Sequence, residues 1–312
     1  MSLGLQLKHR AELALVRLAR GLDRLLGVER SDRLAAALGR FASRRLGIRM
    51  DVVEEQLRRA FPDRDAAWVR ATAEASYAHL GREGMALLRL SRQGPEEVRA
   101  VTEVIGLDAV REAVEAGTGA IIVTGHLGNW EIGGAAVAVR GIPIDVVARR
   151  QKNPHFDRLV NDARARLGMT VVRTGEATRA VLRSLRRGHA VALVADQDAR
   201  RRGVFVEFFG RPASTHRGPA VLAIRSGAPV FMGTALRRSD GGYTVRLEPV
   251  PVPDGDDPEE RADRLTARLA AALEAAVRQD PAQYLWQHRR WKTEPPAEGV
   301  EAGRNGGGAS SV

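Results

Sequence analysis

Cysteine is absent from the 312 residues. That excludes disulfides, thiolate zinc sites, iron–sulfur clusters and a cysteine nucleophile together. Aromatic residues are scarce at 4%, too few for the stacking platforms on which single-stranded nucleic acids lie. No apolar run approaches the ~20 residues that a spanning helix needs. The stretch 13–26, rich in leucine, is interrupted by Arg17, Arg20, Asp23 and Arg24. No apolar segment precedes a small-residue cleavage site, so no secretory signal is read. A Gly-x-Ser-x-Gly elbow is also missing, which leaves a covalent acyl-enzyme without an obvious nucleophile.

What is present describes an ordinary globular chain: 44% hydrophobic and 28% charged residues, long enough for one large domain or two small ones. Lys and Arg number 49 against 38 Asp and Glu, a formal charge of +11. Such a surface attracts polyanions, either nucleic acid or an anionic membrane. The poverty in aromatics and the lack of any zinc-finger or RNP motif favour the membrane over a basic nucleic-acid-binding protein. Arginine, alanine, glycine, valine and leucine are all abundant, as GC-rich coding would make them, so charge alone assigns no partner.

Residues 1–94 read as helical. Leu15, Leu18, Leu22, Leu25 and Leu26 recur at helical spacing with arginines largely on other faces, a basic amphipathic helix that either packs on the rest of the chain or lies in a bilayer interface. Helical patterns follow at 35–46, 52–60 and 66–90, broken by Phe61-Pro62-Asp63 and ending near Gly94-Pro95. From about Val101 short β-rich runs alternate with helical stretches: 120–124, 145–148, 170–172, 190–194, 229–232 and 243–247. This alternation predicts an α/β domain over 95–293 with a largely parallel, buried sheet. Asp257-Pro258-Glu259-Glu260 opens a further helix with an N-cap, a proline and first-turn acids. Residues 294–312 lack apolar periodicity and are expected to be disordered.

One segment carries chemistry. The strand Ala120–Thr124 runs into Gly125-His126-Leu127-Gly128-Asn129-Trp130-Glu131 and then into a helix of small residues. A histidine leaving the carboxyl end of a buried strand sits where α/β sheets place their sites. With His126 in a glycine-permitted turn and Glu131 on the first helical turn, the carboxylate is expected to accept a hydrogen bond from the ring. One ring nitrogen would then remain as a general base, suited to attack of an alcohol on a thioester carbonyl.

This segment resembles the His-x4-Asp/Glu motif of the bacterial late acyltransferases of lipid A biosynthesis, the lauroyl/myristoyl acyltransferase family, which includes a phosphatidylinositol mannoside acyltransferase branch. The resemblance continues in order through Ala148-Arg149-Arg150-Gln151-Lys152-Asn153-Pro154, Ala195-Asp196-Gln197-Asp198, 203–210 and the closing Tyr284-Leu285-Trp286-Gln287-His288-Arg289-Arg290-Trp291-Lys292. It implies a glycerol-3-phosphate acyltransferase-like α/β domain behind an N-terminal helical region. It also implies transfer of a fatty acyl chain from acyl carrier protein or coenzyme A, as substrate and with no cofactor or metal, to a glycolipid hydroxyl at the inner membrane. His126 and Glu131 match the family's base and relay acid; Arg164 matches a functional arginine and Asp196 an acid at a strand end. Arg149, Asn153, Arg164, Asp196, Asp198, Phe205, Phe209 and Arg211 are the candidate substrate-binding residues, with Phe205, Phe208 and Phe209 either core or lining of an apolar slot. Clustered guanidiniums suit phosphate.

The sequence departs from the family in two places. Most lipid A enzymes start with a spanning helix, whereas here attachment to the cytoplasmic face of the inner membrane is expected to be peripheral, through the N-terminal helix. Asn129-Trp130 is less typical of the lipid A enzymes than of other branches, so the acceptor is open between a lipid A precursor and a phosphatidylinositol mannoside or other phospholipid. Hydrolysis of the acyl thioester by the same base is the alternative reaction.

Overall fold

The computed structural model describes residues 3–174 and 177–296; most of the tail expected to be disordered lies outside them. The helices are α1 (Leu3–Arg44), α2 (Met50–Ala60), α3 (Ala66–Leu90), α4 (Pro95–Val101), α5 (Leu107–Glu115), α6 (Trp130–Ala138), α7 (Pro154–Arg166), α8 (Ala177–Arg186), α9 (Gly218–Ser226) and α10 (Pro258–Gln279). The strands are β1 (Thr102–Ile105), β2 (Ala120–Thr124), β3 (Ile144–Ala148), β4 (Met169–Arg173), β5 (Ala190–Val194), β6 (Val204–Phe208), β7 (Arg211–Thr215), β8 (Val230–Arg237) and β9 (Tyr243–Val250).

Seven strands form one sheet in the order β1-β9-β8-β2-β5-β3-β4, and every pairing except the β8–β9 hairpin is parallel. Parallel strands need covered faces, and the sequence supplies both. On β2, Ile121 and Val123 enter one core with Leu193, Met232, Leu269 and Leu273. Ala120 and Ile122 enter the opposite core with Ile132, Ile144 and Phe231. Period-two alternation of wholly apolar side chains therefore reads as a strand buried on both sides.

Several elements lie outside the sequence-based expectation. The β6–β7 hairpin turns on Phe209 and Gly210, both at positive φ (54° and 68°), the conformation of a tight primed turn. The edge strand β1 has only four residues and pairs with β9, the neighbour of its hairpin partner β8. In the N-terminal region, α1 is one long helix interrupted by non-helical geometry at Gly27. Its apolar residues divide between packing and exposure. Ala35 and Ala36 are buried, while Leu15, Leu18 and Leu25 are 65%, 60% and 81% exposed.

A buried ionic network fastens this region to the sheet. Arg89 on α3 donates to Asp23 (2.7 Å) and Asp32 (2.9 Å) of α1. Arg237 at the end of β8 bridges Asp32 (2.9 Å) to Glu83 of α3 (2.6 Å). Glu83 also accepts from the Tyr243 hydroxyl at 2.8 Å and from Asn129 at 2.7 Å. Buried charges persist only when each has its counter-charge and hydrogen bonds, which fixes the docking geometry of α1 and α3. The network ends on Asn129, three residues from His126.

Candidate active site

The carboxyl ends of β2, β5, β3 and β4 lie along one edge of the sheet because these strands are parallel and adjacent. Thr124 of β2 is in register with Val194 of β5. Two residues further on in each chain, His126 and Asp196 come together. The Asp196 carboxylate accepts from the His126 backbone N–H at 2.9 Å and from ring Nδ1 at 2.7 Å. The acid holding the ring is thus Asp196, and the expectation that Glu131 would do so is corrected. Glu131, in the first turn of α6, is instead held by both Nε (2.9 Å) and Nη2 of Arg164 on α7. A bidentate guanidinium outcompetes a single imidazole N–H for a carboxylate.

Electrostatics follows from burial and pairing. Burial pulls the His126 imidazole down, but the attraction and hydrogen bond of Asp196 outweigh it and leave the pKa raised. Burial pushes Asp196 up; the His126 ring, its two hydrogen bonds and the Arg290 charge more than offset this, and the carboxyl stays below its ordinary value. An ionised Asp196 makes Nδ1 the donor, so in the neutral ring Nε2 carries the lone pair. The Trp130 ring packs edge-on against the imidazole at 4.6 Å between centroids, restricting its rotation.

Around this pair the turn is over-determined. Asn129 caps α6 by accepting from the Ile132 N–H at 3.0 Å. The closing segment passes beneath: Gly128 N–H donates to the Gln283 carbonyl (3.0 Å) and Leu285 N–H to the His126 carbonyl (3.0 Å). Asn129 N–H donates to the Ala235 carbonyl at 2.9 Å. The amides of 128 and 129 are therefore engaged and do not face an oxyanion. Gly128 sits at φ 61°, and a Cβ there would lie 2.0 Å from the Ala235 carbonyl oxygen. Gly128→Ala is expected to destabilise the fold by about 2 kcal/mol or more, since both strain and a clash with backbone arise; urea unfolding measures it.

The remaining candidates separate into groups. Arg149 lies just beyond β3 on the same sheet edge, exposed. Asn153 caps α7 and donates to Glu12 of α1 at 2.6 Å, so its amide joins two helices. Asp198 accepts from Thr293 (3.0 Å), and its N–H donates to His288 Nε2 at 3.0 Å, a structural brace. Arg211 donates to the Arg59 carbonyl at 3.2 Å. Phe209 packs with Phe61 and Trp286, while Phe208 lies between Phe209, Tyr284 and Trp291; for these two the core reading holds. Phe205 is half-buried on the hairpin. The cavity that Phe208 does line, with Asp196, Met232, Leu269 and Leu273, is only about 30 Å³, room for one or two waters.

Three residues with a bearing on the site were not singled out from sequence. Tyr284 is buried against Asp196, with its phenol pushed up by burial and by that carboxylate. Arg290 is buried with Nη1 donating to the Ser214 carbonyl at 2.7 Å and its charge acting on Asp196. Glu83 holds Asn129. The signal for the first two was polar residues set among the aromatics of the closing segment; Glu83 had none, being one acid among many on a helix.

Comparison with known proteins completes the description. A sequence model of the bacterial lipid A biosynthesis acyltransferases matches residues 14–293. The lipid A biosynthesis lauroyltransferase of Escherichia coli K12 is 29% identical over 275 residues, 86% of each chain. The palmitoleoyltransferase of the same organism is 29% identical over 274 residues, 85% of this chain and 86% of that one. The phosphatidylinositol mannoside acyltransferase of Mycolicibacterium smegmatis is 29% identical over 221 residues, 70% of each chain. A match along nearly the whole chain, taken with the sheet-edge histidine, means that the protein belongs to the bacterial lipid A biosynthesis acyltransferase family.

Proposed function

We propose that this acyltransferase moves a fatty acyl group from a thioester, borne by acyl carrier protein or coenzyme A, to a hydroxyl of a membrane glycolipid, with His126 as general base and Asp196 as its partner. The observation that carries this is the Nδ1–Asp196 hydrogen bond, which leaves Nε2 to act. Nε2 takes the hydroxyl proton, the oxygen attacks the thioester carbon, and the tetrahedral intermediate collapses with cleavage of the C–S bond. The proton on Nε2 then passes to the departing thiolate, while Asp196 stabilises the transient imidazolium. Both substrates are bound together, and the sequence requires no metal. Glu131 and Arg164 act by position, holding α6 and the His126 turn against α7.

The acceptor class follows the relatives' names: a lipid A precursor, or a phosphatidylinositol mannoside. Incubating the full chain with acyl donor and each lipid, followed by mass spectrometry, tests the reading. The expected product is the lipid heavier by one acyl group. Free fatty acid released at the same rate without any acceptor would make the protein a thioesterase instead.

The site is proposed to work at an anionic membrane surface, the cytoplasmic face of the inner membrane. No described helix is long and apolar enough to cross a bilayer, while α1 presents Leu15, Leu18 and Leu25 to solvent beside the exposed Arg10, Arg17 and Arg24. An apolar stripe flanked by cations suits the headgroup boundary. The triple change Leu15→Glu, Leu18→Glu, Leu25→Glu is expected to lower binding to phosphatidylglycerol vesicles at least tenfold in a sedimentation assay, with the thermal melt unchanged; unaltered binding refutes the assignment.

A further inference from the structure

One cavity has no role in the proton path. It encloses about 530 Å³ between Glu12, Leu13 and Val16 of α1 and the segment leading from β3 into α7. Its lining is of two chemistries: the basic Arg149, Arg150, Lys152 and His155, and the apolar Leu13, Val16, Phe156 and Leu159. The side chains of all four basic residues are exposed and make no hydrogen bond or ion pair with described residues, although Arg150 acts electrostatically on Asp157. The acid in the cavity, Glu12, is already held by Asn153 at 2.6 Å. That contact clamps α1 onto α7. The parallel order β2-β5-β3 sets the mouth of β3 two strand spacings, about 10 Å, from His126 on the same edge.

Cations and apolar groups lining one cavity match an amphiphile whose anionic group adjoins a chain. Two adjacent guanidiniums suit a phosphate, whose oxygens accept forked donors. We infer that this cavity binds the phosphate of a membrane lipid, with Arg149 and Arg150 as principal contacts. It thereby places the acceptor with its headgroup toward His126. This rests on the acyltransferase reading for its purpose but not for its binding chemistry. A phosphate has a second source, the donor's phosphopantetheine or coenzyme A. The lipid is favoured because one wall of the cavity is α1, the helix whose leucines face outward.

The test uses soluble probes on the full chain by isothermal titration: dihexanoyl phosphatidate, dihexanoyl phosphatidylcholine as the zwitterionic control, and coenzyme A. The wild type is expected to bind phosphatidate at least tenfold more tightly than phosphatidylcholine. R149A/R150A should lose at least tenfold for phosphatidate and less than twofold for coenzyme A. Because both arginines are exposed, the variant should melt like the wild type. A charge-matched control at exposed positions on other elements, R187A/R225A, should bind as the wild type does. The inference is overturned if phosphatidate binding is absent or is unchanged in R149A/R150A, or if R187A/R225A weakens it equally. A loss seen chiefly for coenzyme A assigns the cavity to the donor and overturns the lipid assignment. H126A should retain phosphatidate affinity. A wild type that binds phosphatidate through these arginines yet transfers no acyl group would sink the acyltransferase reading and leave the cavity's assignment standing.

Discussion

His126→Ala is expected to lower acyl transfer by roughly 10²–10⁴-fold while leaving a folded protein, because the proposed proton acceptor disappears and the turn that carried it does not. The turn depends on backbone bonds from Gly128, Asn129 and Leu285 and on the Asn129 cap, none of which uses the imidazole. The backbone N–H of residue 126 continues to donate to Asp196. What is lost is the ring's hydrogen bond and its contact with Trp130, so a stability cost of about 1–3 kcal/mol is expected. Single-turnover transfer and a thermal melt on the same preparation check both halves. Turnover within tenfold of the wild type would remove His126 from the mechanism.

Asp196→Asn is expected to be nearly as damaging, roughly 10²–10⁴-fold, and to carry a signature that a merely structural change lacks. In the wild type, burial lowers the ring's pKa but Asp196 raises it further, so the net shift is upward. A general base works only when neutral. Transfer should therefore fall as pH drops through a pKa above the ordinary histidine value. Replacing the carboxylate by an amide removes the attraction and leaves the burial effect, so the acid limb of kcat/KM should move to lower pH as the plateau drops. Glu131→Gln provides the contrast. It strands the buried Arg164 guanidinium, whose side chain is 11% exposed, and should cost stability without moving the acid limb. If Glu131→Gln shifts the limb and Asp196→Asn does not, Glu131 and not Asp196 partners the ring during turnover.

The network that runs from Asp23 through Arg89, Asp32, Arg237 and Glu83 to Asn129 links the outward-facing helix to the residue that caps α6. A helical region set apart in sequence is in this way continuous with the sheet domain in its polar interior. The two are divided by composition and joined by charge. The same clasp logic recurs at Asn153, whose amide reaches Glu12 and whose carbonyl caps α7.

Local patterns made much of this legible. Runs of β-branched residues separated by helical stretches mark the strands that are buried on both faces, and the expected spans 120–124 and 190–194 coincide with β2 and β5. Elements without that pattern are not legible in this way. The strand Thr102–Ile105 is short and lies at the sheet edge, and the 204–215 hairpin turns on Phe-Gly rather than on the Asn-Gly that normally signals one. Phe208 and Phe209 illustrate a separate ambiguity, since an aromatic run reads alike whether it packs inward or lines a slot.

The amino-acid sequence alone excluded thiol chemistry and a spanning helix among the residues at hand. It also placed a histidine at the end of a buried strand and ordered the segments that the family shares. Which acid hydrogen-bonds that histidine was decided only in three dimensions. Glu131 is five residues away along the chain, yet a helix start turned its carboxylate to Arg164 on a neighbouring helix. Asp196 is 70 residues away, yet the lateral register of two parallel strands brought it to the ring. Sequence separation governs what a turn can reach; strand order and register govern what meets across a sheet, and that information resides in packing rather than in any local pattern.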